Sequence, residues 1–333
     1  ERAAAEAGPP RAFAAALVRG GAVAVVAEYK RRSPSAGPLA AWPVEAVVRG
    51  YAAAGVAALS VLTEGSHFGG ALEDLAAARA AVPLPVLRKD FLVDPVQVLE
   101  SRAAGADAVL VIVRIVDDVA LAELLAAARA LGMDALVEVH TAGELERALR
   151  AGATLVGVNA RDLATLRTDL GHVEALAGRV PGDRVLVAES GIGGRADVER
   201  MAAAGADAVL VGESLLRVPD PGAAAAALVG VPRRRRAGLE VKICGVCRPE
   251  DAAAAADAGA DYVGVVLAAP GPRRQEPEAA RRIFTAAGCR RVGVFADAPV
   301  EVVVRLARAL DLAAVQLHGD ESAEVVAAVR RAG

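Results

Sequence analysis

Charged and amide side chains stand where the apolar runs of this chain end. Glu28 and Lys30 close AVAVVAEYK, Lys89 and Asp90 follow PVLR, Glu138 closes DALVEV, Asn159 and Arg161 follow LVGV, and Glu189 and Ser190 close RVLVAES. Two lysines and three glutamates projecting into one mouth perturb one another's ionisation, which is what acid and base chemistry near neutral pH requires. No histidine is needed for it. The competing reading is a structural ion-pair network at a rim, disfavoured because buried charges seldom survive without a role. Asp90 and Arg161 are read equally as substrate contacts or as partners that orient their neighbours. A further run ends in VGES ahead of a helical stretch, setting the amides of Gly212 and Glu213 at a helix N-terminus, where a phosphate is well held. The loop ESGIGG, with Gly191 at its turn, offers a second group of glycine amides. Together these point to a phosphorylated small-molecule substrate.

The elements that must position these residues are short apolar runs alternating with Ala-rich helical stretches, the pattern of parallel βαβ units. Eight such runs precede Ser214, and their nearly continuous hydrophobicity predicts strands buried on both faces. An internal repeat supports the count. AAGADAVLV occurs identically at 103–111 and 203–211, with weaker copies AAGVAALSV from Ala53 and RAGATLVGV from Arg150, at strands two, four, six and eight. Each copy joins a helix end, a glycine suited to a left-handed cap and the next strand. A period of two βα units fits the quasi-fourfold symmetry of a closed barrel and has no reason to occur in an open doubly wound sheet. The fold class expected is α/β, a (β/α)8 TIM barrel over 1–231.

PRRRRAGLE follows, and 232–239 read as a solvated linker, since one short basic run seldom makes a nucleic-acid face. The βα pattern restarts at 240–333 with EVKICG, DYVGVVL, RRVGVF and AVQLHG, and DAGADYVGV echoes the repeat. About four βα units make only a partial second barrel with open strand edges, so this piece is expected to be cut short or paired, with self-association through it as one outcome.

The 333 residues allow two domains. With 38 basic and 41 acidic side chains the formal net charge is -3, which gives no footprint for wrapping nucleic acid. The apolar strings fall far short of the roughly 20 residues that span a bilayer, and the opening ERAAAEAGPPRAFAAALVRGG does not read as a secretory signal. Three cysteines, all from Cys244 onward, cannot form a disulfide framework. A cytoplasmic protein without membrane, metal or cofactor is expected, its first residue a truncation.

At the strand-end residues the first 230 positions resemble the indole-3-glycerol phosphate synthase family. AEYKRRSPSAGPL, LRKDF, LVEVH, GVNARDL, AESGI and VGESLL appear in family order at the right strands, which is far more specific than any single motif. The long N-terminal helical extension usual in the family is mostly absent. The resemblance implies closure of an indole ring from a carboxyphenylamino-deoxyribulose 5-phosphate, with loss of carbon dioxide and then of water. Lys89 matches the general acid, Glu138 and Glu28 the carboxylates used in proton removal and dehydration, and Lys30 the lysine that binds anionic groups of the substrate. Asn159, Glu189 and Ser190 match contacts to the sugar chain, Ser33 a phosphate-side contact and Arg161 a residue near the carboxylate. Phe68 and Phe91 match apolar walls, although a Phe at a strand end is more often plain core. Lys30 and the apolar Phe91 are expected to lower the pKa of Lys89.

VKICGVCRPEDA, GPRR and AVQLHG resemble the N-terminal half of phosphoribosylanthranilate isomerase. That implies Cys244 as a general base and Arg273 near the anthranilate end of a substrate, and the segment as given is expected to isomerise nothing. Cys244 and Cys247 with only Cys289 to help make a weak zinc or redox signal. His318 reads as structural. Rivals for the whole are another phosphate-binding barrel isomerase, opposed by the two lysines, and a noncatalytic scaffold, opposed by the intact set of acids and bases.

Overall fold

In the computed structural model, which describes residues 7–34, 37–39, 42–161, 167–234 and 240–332, each apolar run of the first segment is a parallel strand. The arginines past Arg234, Asp162 and Leu163 of GVNARDL, and Ser35 and Ala36 of the first block lie outside the described residues. The chain divides into two units, one of 1–18 and 22–238, the other of 19–21 and 239–333.

The first unit holds β1 (Ala24–Tyr29), β2 (Ala58–Leu62), β3 (Val86–Lys89), β4 (Ala108–Ile112), β5 (Asp134–Val139), β6 (Leu155–Asn159), β7 (Val185–Glu189) and β8 (Ala208–Val211). Each pairs in parallel with the next, and β8 returns to β1, so the barrel closes without an edge. The repeat therefore does fall on strands two, four, six and eight. Between Arg32–Ser33 and Gly37–Pro38 the loop after β1 makes a two-residue antiparallel pairing that the sequence reading did not contain.

The runs look uniformly apolar, but their two faces bury against different things. One face packs against the surrounding helices, with Val25, Ala27 and Tyr29 of β1 among the residues of that outer core. The other faces the barrel axis, where Ala24 and Val26, Leu87, Ala108 and Leu110, Leu136, Leu155, Val187, Ala208 and Leu210 form an inner core. Phe13 and Leu17 of helix Phe13–Val18 join that inner cluster. Strand alternation continues the inward rows to Glu28, Lys89, Glu138, Asn159 and Glu189. Thus the charged residues are the next layer of the same interior, at the carboxyl ends of the strands.

The repeated Asp has a structural task. Asp107 accepts the amide of Val86 at 2.8 Å, and Asp207 accepts the amide of Leu186 at 2.9 Å. Asp261, the corresponding residue of the echo in the second unit, accepts the amide of Val241 at 2.8 Å. Each buried carboxylate satisfies an amide at the start of the neighbouring strand, and an orphaned buried amide costs ~1–3 kcal/mol. Just before them, Gly105 and Gly205 adopt φ of +94° and +89°, the left-handed turn that lets a strand begin after a gap of four residues in one case and three in the other.

The second unit holds β9 (Lys242–Cys244), β10 (Tyr262–Ala268), β11 (Arg290–Phe295) and β12 (Ala314–Leu317), parallel and paired in that order. Its own core gathers Val263, Val265, Leu267, Ile283, Phe284 and Phe295. Lys242 nonetheless donates to Gln316, so the two outermost strands bend toward each other. This four-stranded parallel sheet makes a partial second domain.

Candidate active site

Register decides which of the strand-end groups meet. Glu28 lies opposite Ser60, Leu62 opposite Lys89, Ile112 opposite Glu138, and Asn159 opposite Glu189. The Lys89 ammonium reaches across the barrel mouth to two carboxylates, 2.6 Å from Glu189 Oε2 and 3.2 Å from Glu138 Oε2. Lys30 Nζ donates to Glu28 Oε1 at 2.8 Å, while the Ser60 hydroxyl donates to Glu28 Oε2 at 3.4 Å. The Asn159 side chain hydrogen-bonds Glu138, and its Oδ1 also accepts the amide of Arg161 at 3.0 Å. Arg161 in turn faces Glu213, which pairs with Arg217 as well.

Two glycines make room for this arrangement. A Cβ on Gly157 would stand 2.0 Å from Glu189 Oε1, and one on Gly212 would stand 2.5 Å from Glu28 Oε1. Both carboxylates are held by lysines, so neither moves aside cheaply. Beyond β7 the chain turns through Ser190 and Gly191 at φ of 68° and 81°, and a Cβ on Gly191 would stand 2.6 Å from Thr168 Cγ2. Gly212 caps the helix Glu213–Leu216, whose Ser214 hydroxyl donates to the Ile192 carbonyl, tying the turns after β7 and β8 together.

One cavity is lined by Glu28, Lys30, Phe68, Lys89, Asp90, Phe91, Glu138, Asn159, Arg161, Glu189, Ser190, Gly191, Gly212 and Glu213. The strand-end residues of the first unit singled out in the sequence thus share a single hollow. Ser33 does not line it; it is buried in the pairing with Gly37. Phe68 and Phe91 are not core: Phe91 is 44% exposed, and the rings stand 6.5 Å apart at the mouth. Asp90 is held by Arg88 at 3.0 Å and by Thr63, so it is anchored to the barrel wall while bordering the cavity. Cys244 and Arg273 belong to the second unit, where Cys244 is exposed and the Arg273 guanidinium lies against Gly245.

Sequence reasoning missed the apolar floor and one polar border. Leu62, Leu110, Ile112 and Leu210 line the cavity, as does Glu64, which caps the short helix Gly65–Phe68 by accepting three of its amides. The leucines sit inside runs that read as core, and only the inward alternation marks them.

The electrostatics correct one expectation. Burial pulls the Lys89 ammonium down, but Glu189, Glu138 and Glu28 together outweigh it and hold its pKa above the ordinary lysine value. Lys30, paired with Glu28, is not among the groups that move it. Burial and the neighbouring Glu138 and Glu28 push Glu189 up to about 8 against the opposing pull of Lys89. Glu138 is also pushed up by burial, but Lys89, His140 and the Asn159 hydrogen bond bring it net below the ordinary carboxylate range. The site therefore separates two carboxyls into an ionised and a proton-retaining member, the pattern of paired acid and base groups.

A closed (β/α)8 barrel with acids and bases gathered at the carboxyl ends of its strands defines the chain's class as a barrel enzyme. Residues 1–228 match the family model of indole-3-glycerol phosphate synthase, and residues 241–332 match that of N-(5'-phosphoribosyl)anthranilate isomerase. An indole-3-glycerol phosphate synthase of Rhodospirillum rubrum is 54% identical over 230 residues, which cover 68% of this chain and 88% of that protein. Among solved structures, a 3-hexulose-6-phosphate synthase of Salmonella typhimurium aligns with a TM-score of 0.51 at 17% identity, over 62% of this chain and 96% of that one, a likeness of fold alone. A phosphoribosylanthranilate isomerase of Thermotoga maritima aligns with a TM-score of 0.27 at 41% identity, over 28% of this chain and 49% of that one. The chain belongs to the indole-3-glycerol phosphate synthase family, which are carboxy-lyases, and carries a segment of the isomerase family fused after it.

Proposed function

We propose that the first unit closes the indole ring of 1-(2-carboxyphenylamino)-1-deoxyribulose 5-phosphate, releasing carbon dioxide and water to give indole-3-glycerol phosphate. The observation that carries this reading is Lys89 held between Glu138 and Glu189 in the same cavity as the Glu28–Lys30 pair. Lys89 protonates the ketose carbonyl as the aromatic carbon attacks it. The new carbon–carbon bond is followed by departure of the carboxyl group, whose bonding electrons restore the aromatic ring. The hydroxyl left from the carbonyl takes a proton from one of the acid groups, Glu138 or Glu28, and leaves as water, while the other carboxylate removes a proton from the adjacent carbon to set the indole double bond, and solvent returns the proton that Lys89 gave. A lysine whose proton is tightly held gives it up only to the oxyanion that develops in the transition state, and the cavity then loses a cation beside two carboxylates. Proton-retaining Glu189 limits the repulsion that results.

In this reading Lys30 takes anionic groups of the substrate, and Asn159, Glu189 and Ser190 hold its hydroxyls. The amides of Gly191, Gly212 and Glu213 receive the phosphate, Arg161 stands near the carboxylate, and Phe68 and Phe91 flank the aromatic ring. The test is a fluorescence assay for indole product with the intact chain. Product formation is expected, and its absence would return the barrel to the scaffold reading.

We propose further that the second unit corresponds to the N-terminal half of the isomerase, with 232–239 as linker, Cys244 as its base and Arg273 near the anthranilate end. The match of residues 241–332 to the isomerase family model supports the kinship on which this rests. The open edges of β9 and β12 favour self-association through that unit, which light scattering would detect. The three free thiols fit a reducing, cytoplasmic setting.

A further inference from the structure

His140 is a buried titratable group to which the chemistry above gives no task. It lies two residues beyond Glu138, and its side chain is 4% exposed. Neither ring nitrogen has a hydrogen-bond partner, although a neutral imidazole offers one donor and one acceptor. Instead the ring is placed between two carboxylates. Nε2 stands 3.6 Å from Glu138 Oε1, and Nδ1 stands 3.6 Å from Glu144 Oε2.

The three groups form a file from the cavity outward. The Glu138 side chain is 3% exposed and meets Lys89 through its other oxygen, whereas Glu144 is 12% exposed. Glu144 is itself fixed in place: its carboxylate accepts the His140 amide at 2.6 Å and Arg114 Nε at 3.0 Å, and its amide is capped by Thr141. The remaining titratable neighbour is His172, whose Nε2 meets the His140 carbonyl. Burial, with Arg114 and His172, drives the His140 pKa below its ordinary value against the pull of Glu138 and Glu144, so the resting ring is neutral and able both to accept and to donate.

We infer that His140 is a positioning residue for Glu138 and its proton conduit, joining that carboxylate to solvent through Glu144 by a route that does not cross the substrate-filled cavity. This rests on Glu138 being an acid–base group of the ring closure. A proton on Glu138 Oε1 passes to Nε2 as the Nδ1 proton passes to Glu144 Oε2. The imidazole ends neutral in the other tautomer, Glu144 yields its proton to water, and the reverse journey restores both. Closing 3.6 Å to hydrogen-bond reach takes under about 1 Å, the kind of tightening that follows substrate binding.

The experiment measures kcat, KM, their pH profiles and the solvent deuterium isotope effect on the full chain by indole fluorescence, for wild type, His140→Asn and Glu144→Gln. His140→Asn is expected to lower kcat about tenfold, below the ~10²–10⁴-fold of a direct acid–base group, with KM within about twofold. It should also shift the kcat–pH profile and enlarge the isotope effect. Glu144→Gln keeps an acceptor for the His140 amide and should move the same profile less. A purely structural His140 would lower the melting temperature and leave profile and isotope effect alone, and that result overturns the inference. Should His140→Asn not fold, Glu144→Gln decides by itself, an unchanged profile counting against the conduit. A wild-type chain that makes no indole product defeats the reading of the whole site, whereas an active wild type with indifferent variants defeats the conduit alone.

Discussion

The two units are written in the same local code and differ in closure. Both alternate apolar runs with Ala-rich helices, and both use an Asp at the start of a strand to hold a neighbouring amide, Asp207 in one and Asp261 in the other. In the first unit β1 is paired on both sides and buried along its whole length. In the second, β9 is an edge, and Ile243 remains 43% exposed. The consequence reaches the chemistry. Glu28 at the end of β1 is buried and paired with a lysine, while Cys244 at the end of β9 is exposed. Closing the ring of strands turns a row of strand ends into one shared cavity, and the same row on an open sheet remains surface.

The largest break in that comparison should come from Lys89→Ala. We expect turnover to fall by ~10²–10⁴-fold in the indole assay, and the melting temperature to move little, because Glu189 already retains a proton and only Glu138 loses its ammonium partner. A residual rate near wild type would assign the acid elsewhere. Next is Gly157→Ala, where the added methyl meets Glu189 Oε1 and displaces the carboxylate from Lys89. A loss of about tenfold or more in kcat is expected without loss of the fold, since small misplacements within a site cost rate steeply. A fully active Gly157→Ala would mean that the position of Glu189 is not critical.

The paired replacements Asp207→Ala and Asp261→Ala probe the shared code directly. Each orphans one strand amide and should cost ~1–3 kcal/mol in denaturant titration, in the transition of its own unit. Loss of both transitions from either change would mean that the units do not unfold separately. The smallest effect expected is one of pH. A carboxyl raised to about 8 binds more protons folded than unfolded between its ordinary value and that point, so its contribution to stability is present at acid pH and lost as pH rises through the window. Glu189→Gln should therefore gain in melting temperature relative to wild type on going from pH 5 to pH 8; a constant difference would place the proton on another group.

Glu28, Lys30, Lys89, Glu138, Asn159 and Glu189 were legible because each interrupts an apolar run at its carboxyl end, where a barrel gathers function. Leu110 and Leu210 were not, since a cavity floor and a core share one residue type. Ser33 stood in a loop whose path no periodicity encodes. The sign of the Lys89 shift was misread for a related reason: the sequence names the charges around a lysine but not their distances, and Coulomb energy depends on distance.

By itself the sequence determined the periodic units, their number before the arginine run and the order of charged strand ends, because these follow from local pattern. Only the tertiary structure decided that β8 meets β1, that Lys89 lies 2.6 Å from a residue 100 positions away, and that Gly157 and Gly212 are hollows for two carboxylates. Those facts depend on register and closure, which arise from packing between segments that carry no record of one another along the chain.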